Sequence, residues 1–248
     1  MTPDIDALIP ARRGSVGLPG KNTRVLVDRP LALHSVACAK RIAGIRHIFV
    51  STDDPWLAEE AQLTGAYVPL LRPDELAAET TPMADVVRHA LTVLDQAPGP
   101  ATSQVLLLDP TSPLRDPSLI VQAVDLLRAD PDADGVVSVS VPSFNPLWVG
   151  VELTQKGHLQ RHPAAPQAYT RRQEVPGYWR INGNFYLWRN DFARRMRGDW
   201  LDQGTFIGVE TPEILSHSID TLDDFRVVEA LVTSGVVTLP WLGGPLNV

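Results

Sequence analysis

The stretch Leu8-Ile9-Pro10-Ala11-Arg12-Arg13-Gly14-Ser15-Val16-Gly17-Leu18-Pro19-Gly20-Lys21-Asn22 constrains the fold more than any other part of the chain. An apolar run, Ile5, Ala7, Leu8 and Ile9, stops at a proline and opens into a loop that carries three glycines, a serine, an asparagine and three cations. Glycine lets backbone N–H groups approach phosphate oxygens while Arg and Lys add charge, so such a loop at the carboxyl end of a first strand is an anion cradle in an α/β protein. The expected ligand is a nucleoside triphosphate. Spacing excludes two better-known phosphate loops. A P-loop has four residues between its glycines and then Lys-Ser/Thr, whereas Gly14 and Gly20 enclose five and Asn22 follows the lysine. A dinucleotide fingerprint needs Gly-x-Gly-x-x-Gly, and Gly14, Gly17 and Gly20 fall three apart.

With 248 residues, 44% hydrophobic and 21% charged, the chain has room for one α/β domain around a single core, spanning residues 1–248. A net charge of −7 argues against nucleic acid as a partner, and an acidic chain with one cationic loop points to a small anionic ligand. No run of about 18 apolar residues occurs, and the first residues have neither a basic nor an apolar leader region. The expectation is therefore a cytoplasmic protein with no membrane contact. The one cysteine, Cys38, falls among Leu33, Val36 and Ala37 and reads as a core thiol.

Strands and helices alternate along the chain. Helix 30–43 follows the loop and strand 45–50 follows Gly44. Ser51-Thr52-Asp53-Asp54 caps helix 56–63, a short strand is expected at 66–70, and 82–94 is amphipathic. Residues 105–108 form the most continuous apolar run, expected as a central parallel strand, and break into Asp109-Pro110-Thr111-Ser112-Pro113-Leu114-Arg115 before helix 117–128. Strand 135–141 comes next. Residues 142–183 then lack helical periodicity and carry Phe144, Leu147, Trp148, Val149, Tyr169, Tyr178 and Trp179, which suggests an arm that dimerises. Strand 184–188, helix 191–196, strand 205–209 and helix 225–232 complete the pattern. This predicts a mostly parallel sheet with helices on both faces and ligands at the carboxyl strand ends.

Together these motifs resemble the acylneuraminate cytidylyltransferases, that is, CMP-sialic acid synthetases and relatives acting on other sugar acids. The resemblance rests on Ile9-Pro10-Ala11-Arg12, Gly14-Ser15, Lys21-Asn22, Ser51-Thr52-Asp53-Asp54, Leu71-Arg72-Pro73, Pro110-Thr111-Ser112-Pro113-Leu114-Arg115, Arg171-Arg172-Gln173, Asn182-Gly183 and Ile219-Asp220-Thr221. It implies a three-layer, Rossmann-like nucleotidyltransferase fold in which a sugar oxygen attacks the α-phosphorus of CTP and releases pyrophosphate with Mg²⁺.

The resemblance assigns most of the roles; Arg13, standing in for the missing lysine, and Asp109, standing in for the carboxylate lost at Ser218, are placed by their chemistry where the chain departs from the pattern. Arg12, Arg13, Gly14, Ser15, Lys21, Asn22 and Arg72 would hold the nucleotide; Arg171, Arg172, Gln173, Tyr178, Asn182 and Phe185, with Asp109, would face the sugar acid. Arg12, Lys21, Asp109 and Asp220 would carry catalysis, and Asp109 with Asp220 the metal. Asp109 has a second reading, as a cap that accepts from a backbone N–H of the following turn. Three departures from the family pattern stand out: Val16 in place of a lysine, Asp109 in place of a glutamine, and Ser218 in place of an aspartate. They keep two alternatives open, a transferase for another pair such as GTP with a sugar 1-phosphate, and a nucleotide-binding protein that has lost catalysis. His34, His89 and His217 have no spacing that suggests chemistry.

Overall fold

In a computed structural model describing residues 4–161, 169 and 171–243, the apolar run before the loop is strand β1 (Ile5–Pro10), buried along its whole length. Near-continuous apolar strands are what a sheet covered on both faces selects. β1 lies between β2 (Ile45–Ser51) and β3 (Gln104–Leu107) and is parallel to both. With β4 (Gly135–Ser140), β5 (Arg180–Arg189) and β6 (Phe206–Glu210) they form a six-stranded sheet in the order β6-β4-β5-β3-β1-β2. β6 is parallel to β4, whereas β5 runs antiparallel to both β3 and β4. The expected mostly parallel sheet is present, but β3 has a parallel neighbour on one side only.

The connection goes with the reversal. Between β4 and β5 the described residues form an α-helical turn, Pro146–Val149, a small hairpin, Val151–Leu153 paired with Leu159–Arg161, and a 3₁₀ turn, Arg172–Glu174. None of these crosses the sheet, and the chain re-enters at the edge it left and runs the opposite way.

Helices α1 (Leu31–Ala39), α2 (Pro55–Leu63), α4 (Pro117–Ala129) and α6 (Leu222–Thr233) feed one apolar cluster with Leu106, Phe185 and Leu187. On the other face α3 (Met83–Leu94) and α5 (Asn190–Arg195) pack with Val105, Leu107 and Trp188. Local caps set these helices. Asp54 and Asp116 each accept N–H bonds at an N-terminus with proline next in line, and Thr221 with Asp224 forms a capping box. The strand expected at 66–70 does not form: Tyr67 alone bridges Phe49, and Pro69 has no N–H to extend a ladder. No helix among the described residues is long and apolar enough to cross a membrane.

Cys38, read as a core thiol, is core, and so is His34, which was given no role. Cys38 is fully buried, and burial pushes its thiol up to about 12. His34 is also fully buried; its Nδ1 accepts from the Trp241 indole N–H at 3.0 Å, so Nε2–H donates to Leu26 O at 2.9 Å. Burial pushes the His34 imidazole down from 6.5 to about 4. The unfolded chain therefore takes up this proton first as pH falls, so the contribution is whole above pH 6.5 and is lost on the way down to about 4. The loss is on the order of 3 kcal/mol. Urea unfolding at pH 7 and at pH 4.5 is expected to show this fall, and His34→Gln to flatten it.

Candidate active site

Because β1, β2, β3, β4 and β6 point the same way, the loops after β1, β2 and β3 open on one edge. A cleft of about 300 Å³ lies there. Its lining draws Pro10, Arg12, Ser15, Val16, Gly17, Lys21 and Asn22 from the first loop, Arg72, Glu79 and Met83 from the segment before and into α3, Asp109 and Thr111 from the loop after β3, and Asp220 from just before α6. Seven of the residues assigned from sequence, Arg12, Ser15, Lys21, Asn22, Arg72, Asp109 and Asp220, are thus brought together.

The first loop is held in shape by its own polar groups. Ala11 N–H donates to Ser51 O at 2.9 Å, Asn22 Nδ2 to Arg12 O at 2.8 Å, and Gly20 takes φ 66° to start the turn Lys21–Thr23. Arg13 N–H donates to Asp53 Oδ1 at 2.7 Å. With its backbone fixed this way, the Arg12 side chain donates no hydrogen bond to another described residue and lines the cleft as an open cation. Arg72 is buried, donates through Nε to Ser51 Oγ at 3.0 Å and through its terminal nitrogen to Ser51 O, and is pushed by burial down to about 10. It stays charged at neutral pH.

The far wall is the dipeptide Ile219-Asp220. Ile219 N–H donates to Thr111 O at 2.8 Å, and Asp220 N–H to Asp224 Oδ2 at 3.1 Å. Lys21 Nζ donates to Ile219 O at 2.7 Å and to Asp220 Oδ1 at 3.1 Å. A Cβ on Gly17 would stand 2.4 Å from Asp220 O, so only glycine lets the phosphate loop and this wall meet.

Asp109 makes the turn cap and stands at the cleft. Its Oδ1 accepts from Thr111 N–H and Oγ1, each at 3.0 Å, which caps the turn, while its side chain also lines the cleft. Oδ2 of Asp109 and of Asp220 accepts no hydrogen bond from a described residue. Among the described residues no cluster of three or more His, Cys, Asp or Glu makes a closed metal site. Two carboxylates with free oxygens in one cleft fit a hard divalent cation that takes its other ligands from phosphate and water.

Arg115 went without a role in the sequence reading, although it ends the Pro-Thr-Ser-Pro-Leu-Arg motif. It is fully enclosed, donates to Asp109 O, to Asn184 O and, at 3.0 Å, to Ser35 Oγ, and so joins the loop after β3 to β5 and α1. Burial pushes its guanidinium down to about 10. Tyr186 was also missed. Its phenol is raised to about 12 by burial and then by the charge of Asp109.

The remaining assignments separate from the cleft. Arg13 is exposed, and neither it nor Gly14 is part of the lining. Phe185 is a correction: its ring is buried among Leu106, Leu187 and Val136, because alternate residues of β5 face opposite sides of the sheet. Asn182 is another: it is buried and spends its amide on Thr211 Oγ1 at 2.6 Å and Ser216 Oγ at 3.0 Å. Arg171 and Gln173 are exposed and Tyr178 half-buried, all on the segment leading into β5; the side chain of Arg172 and residues 162–168 and 170 lie outside the described residues. Ser218 is exposed beside the buried Ile219.

Comparison with known proteins bears directly on this cleft. The family model described as cytidylyltransferase matches residues 7–206. The CMP-N,N'-diacetyllegionaminic acid synthase of Legionella pneumophila is 38% identical over 232 residues, covering 91% of this chain and 95% of that protein. Post-translational flagellin modification protein B of Campylobacter coli is 28% identical over 92% of this chain and 95% of its own. An N-acylneuraminate cytidylyltransferase of Escherichia coli is 36% identical over 140 residues, 56% of this chain but only 32% of that protein. Among solved structures, CMP:2-keto-3-deoxy-manno-octonic acid synthetase complexed with CTP superposes with a TM-score of 0.67 over 94% of this chain and 99% of its own, at 22% identity, a likeness of fold. A cleft built on the first loop of the matched region, in a sheet of the same architecture, and a relative 38% identical along nearly its whole length lead to one conclusion: the chain belongs to the cytidylyltransferase family of nucleotidyltransferases, among those similar to CMP-sialic acid synthetases.

Proposed function

We propose that this protein couples CTP to a sugar acid of the sialic or legionaminic type, giving a CMP-sugar and pyrophosphate. The observation that carries the reading is the gathering of Arg12, Lys21, Arg72 and two free-edged carboxylates in one cleft, in a chain whose 38% identical relative is a CMP-N,N'-diacetyllegionaminic acid synthase. The sugar's anomeric hydroxyl oxygen bonds to the α-phosphorus and gives up its proton to water, the bond from the α-phosphorus to the oxygen bridging it to the β-phosphorus breaks, and pyrophosphate leaves with the electron pair. Arg12 and the loop N–H groups meet the triphosphate charge, and fixed donors of this kind need no reorganisation as charge moves to the leaving group. Arg72, rigid on Ser51, would meet the base of the nucleotide. CTP-using cytidylyltransferases commonly need a divalent metal. Mg²⁺ held by Asp109 and Asp220 would supply charge neutralisation at the transferring phosphoryl group. Arg171 or Arg172 would take the acceptor carboxylate in a two-pronged contact. The test is pyrophosphate release with each of the four triphosphates and a nonulosonic acid: turnover with CTP is expected, and turnover with GTP and a sugar 1-phosphate instead overturns the reading.

Among its described residues the arm expected at 142–183 exposes Phe144 (62%), Leu153 (71%), Leu159 (69%) and Trp179 (54%). An apolar surface of this extent marks an interface, and a second copy of the chain is its proposed partner. Light scattering at micromolar concentration is expected to give a dimer mass, and Leu153→Glu with Leu159→Glu to lower it to the monomer; a monomeric parent protein would disprove the arm's role.

A further inference from the structure

Lys21 is placed differently from a simple phosphate ligand. Its ammonium has three N–H groups. One is given to Ile219 O at 2.7 Å and one to Asp220 Oδ1 at 3.1 Å, with the lysine side chain 11% exposed and that of Asp220 71% exposed. The nucleotide-free protein therefore already has a cation on one of the two carboxylates that the cleft offers to a divalent ion. The two contacts differ in permanence. Ile219 is fully buried and fixed by its N–H on Thr111 O, and Asp220 is held through its N–H by Asp224 and against Gly17 by its carbonyl. The pivot Lys21–Ile219 O is thus built into the fold. The ion pair to a mostly exposed carboxylate is weak and screened by water.

We propose that Lys21 is a positioning residue that exchanges partners: in the empty cleft it holds Asp220 as a stand-in cation, and when a divalent cation takes Asp220 the ammonium, still anchored on Ile219 O, turns its freed N–H to a phosphate oxygen. This rests on the proposed function, in which Asp220 is a metal ligand. The physical reason is that two cations on one carboxylate group repel even when each has its own oxygen, while a triphosphate alongside offers the displaced ammonium a charge-assisted bond. Metal and triphosphate binding are then coupled through a residue of the chain as well as by their direct contact, and the coupling acts both ways.

The experiment measures Mn²⁺ binding to the nucleotide-free, full-length protein by electron paramagnetic resonance of the free ion. Lys21→Met removes the competitor and is expected to bind Mn²⁺ about three- to fivefold tighter, the effect of losing one weak ion pair. A lysine that merely braced the loop would give weaker Mn²⁺ binding when removed, and one that served only phosphate would give no change; either result overturns the proposal. Asp220→Asn is expected to weaken Mn²⁺ binding. If it does not, the metal role of Asp220 in the proposed function falls as well; if it does while Lys21→Met binds no tighter, the partner exchange alone falls. A second measurement decides the matter should Lys21→Met not fold: CTP binding in EDTA by calorimetry. Asp220→Asn frees the lysine and is expected to bind metal-free CTP about threefold tighter. Asp109→Asn removes the same charge without touching Lys21, and an equal gain there would reduce the effect to charge repulsion and overturn the proposal.

Discussion

Gly17→Ala is expected to lower kcat/KM for CTP about a hundredfold while leaving the melting temperature within about 2 °C of the parent. The added methyl would lie 2.4 Å from the carbonyl oxygen of Asp220, far inside van der Waals contact. The carbonyl is backbone and the Cβ position is fixed by the backbone, so neither can rotate away. Asp220 yields little, because Ile219 N–H ties it to Thr111 on the loop after β3 and Asp220 N–H to Asp224 at the start of α6. The loop itself must move, taking Arg12 and Ser15 off their positions, and displacement of binding groups by about 1 Å costs on the order of a hundredfold in rate. Stability is spared since Gly17 is exposed and contributes nothing to either apolar cluster. Pyrophosphate release together with thermal melting by circular dichroism checks both halves; a fully active Gly17→Ala would show that the close approach has no bearing on the cleft.

Arg115→Ala is expected to act on the fold first. The guanidinium is enclosed and satisfies the carbonyls of Asp109 and Asn184 and the hydroxyl of Ser35. Removing it leaves Asn184 O and Ser35 Oγ without this donor, while Asp109 O keeps the N–H of Ser112, and it opens a cavity beneath the loop after β3. At roughly 1–3 kcal/mol for each unsatisfied group, a loss of about 4 kcal/mol follows. For a chain of this size that is a fall in Tm of about 8–16 °C. Arg115→Lys is expected to recover little, as one ammonium cannot span three acceptors that a planar fork reaches in fixed directions. Thermal melts of the two variants decide this, and a shift below about 3 °C would mean that water takes over the bonds.

Much of the site was legible in the residues before any coordinates. The strand-to-loop transition at Pro10, the three glycines and the three cations are local features, and local chemistry sufficed to place a phosphate cradle at the end of β1. The same holds for the helix starts: Asp54, Asp116 and Thr221 satisfy backbone N–H groups within a few positions of themselves. The side of the sheet on which Asp109 and Asp220 fall followed from strand alternation, since parallel strands joined by helices send every loop after a strand to one edge.

Only the tertiary structure decided what depends on partners far apart in sequence. β5 runs antiparallel to both its neighbours, and its pairing places Phe185 in the core and Asn182 on Thr211 and Ser216. Arg115 carries no mark in its own neighbourhood of being buried, because its three acceptors come from positions 35, 109 and 184. Gly17 and Lys21 read as loop residues for phosphate, yet their closest business is with Ile219 and Asp220, some 200 positions away. The sequence determined which chemical groups each loop presents, through propensities that act over a few residues. Which of those groups face a ligand and which face one another is set by packing, where one carbonyl oxygen 2.4 Å from a missing methyl decides the shape of the cleft.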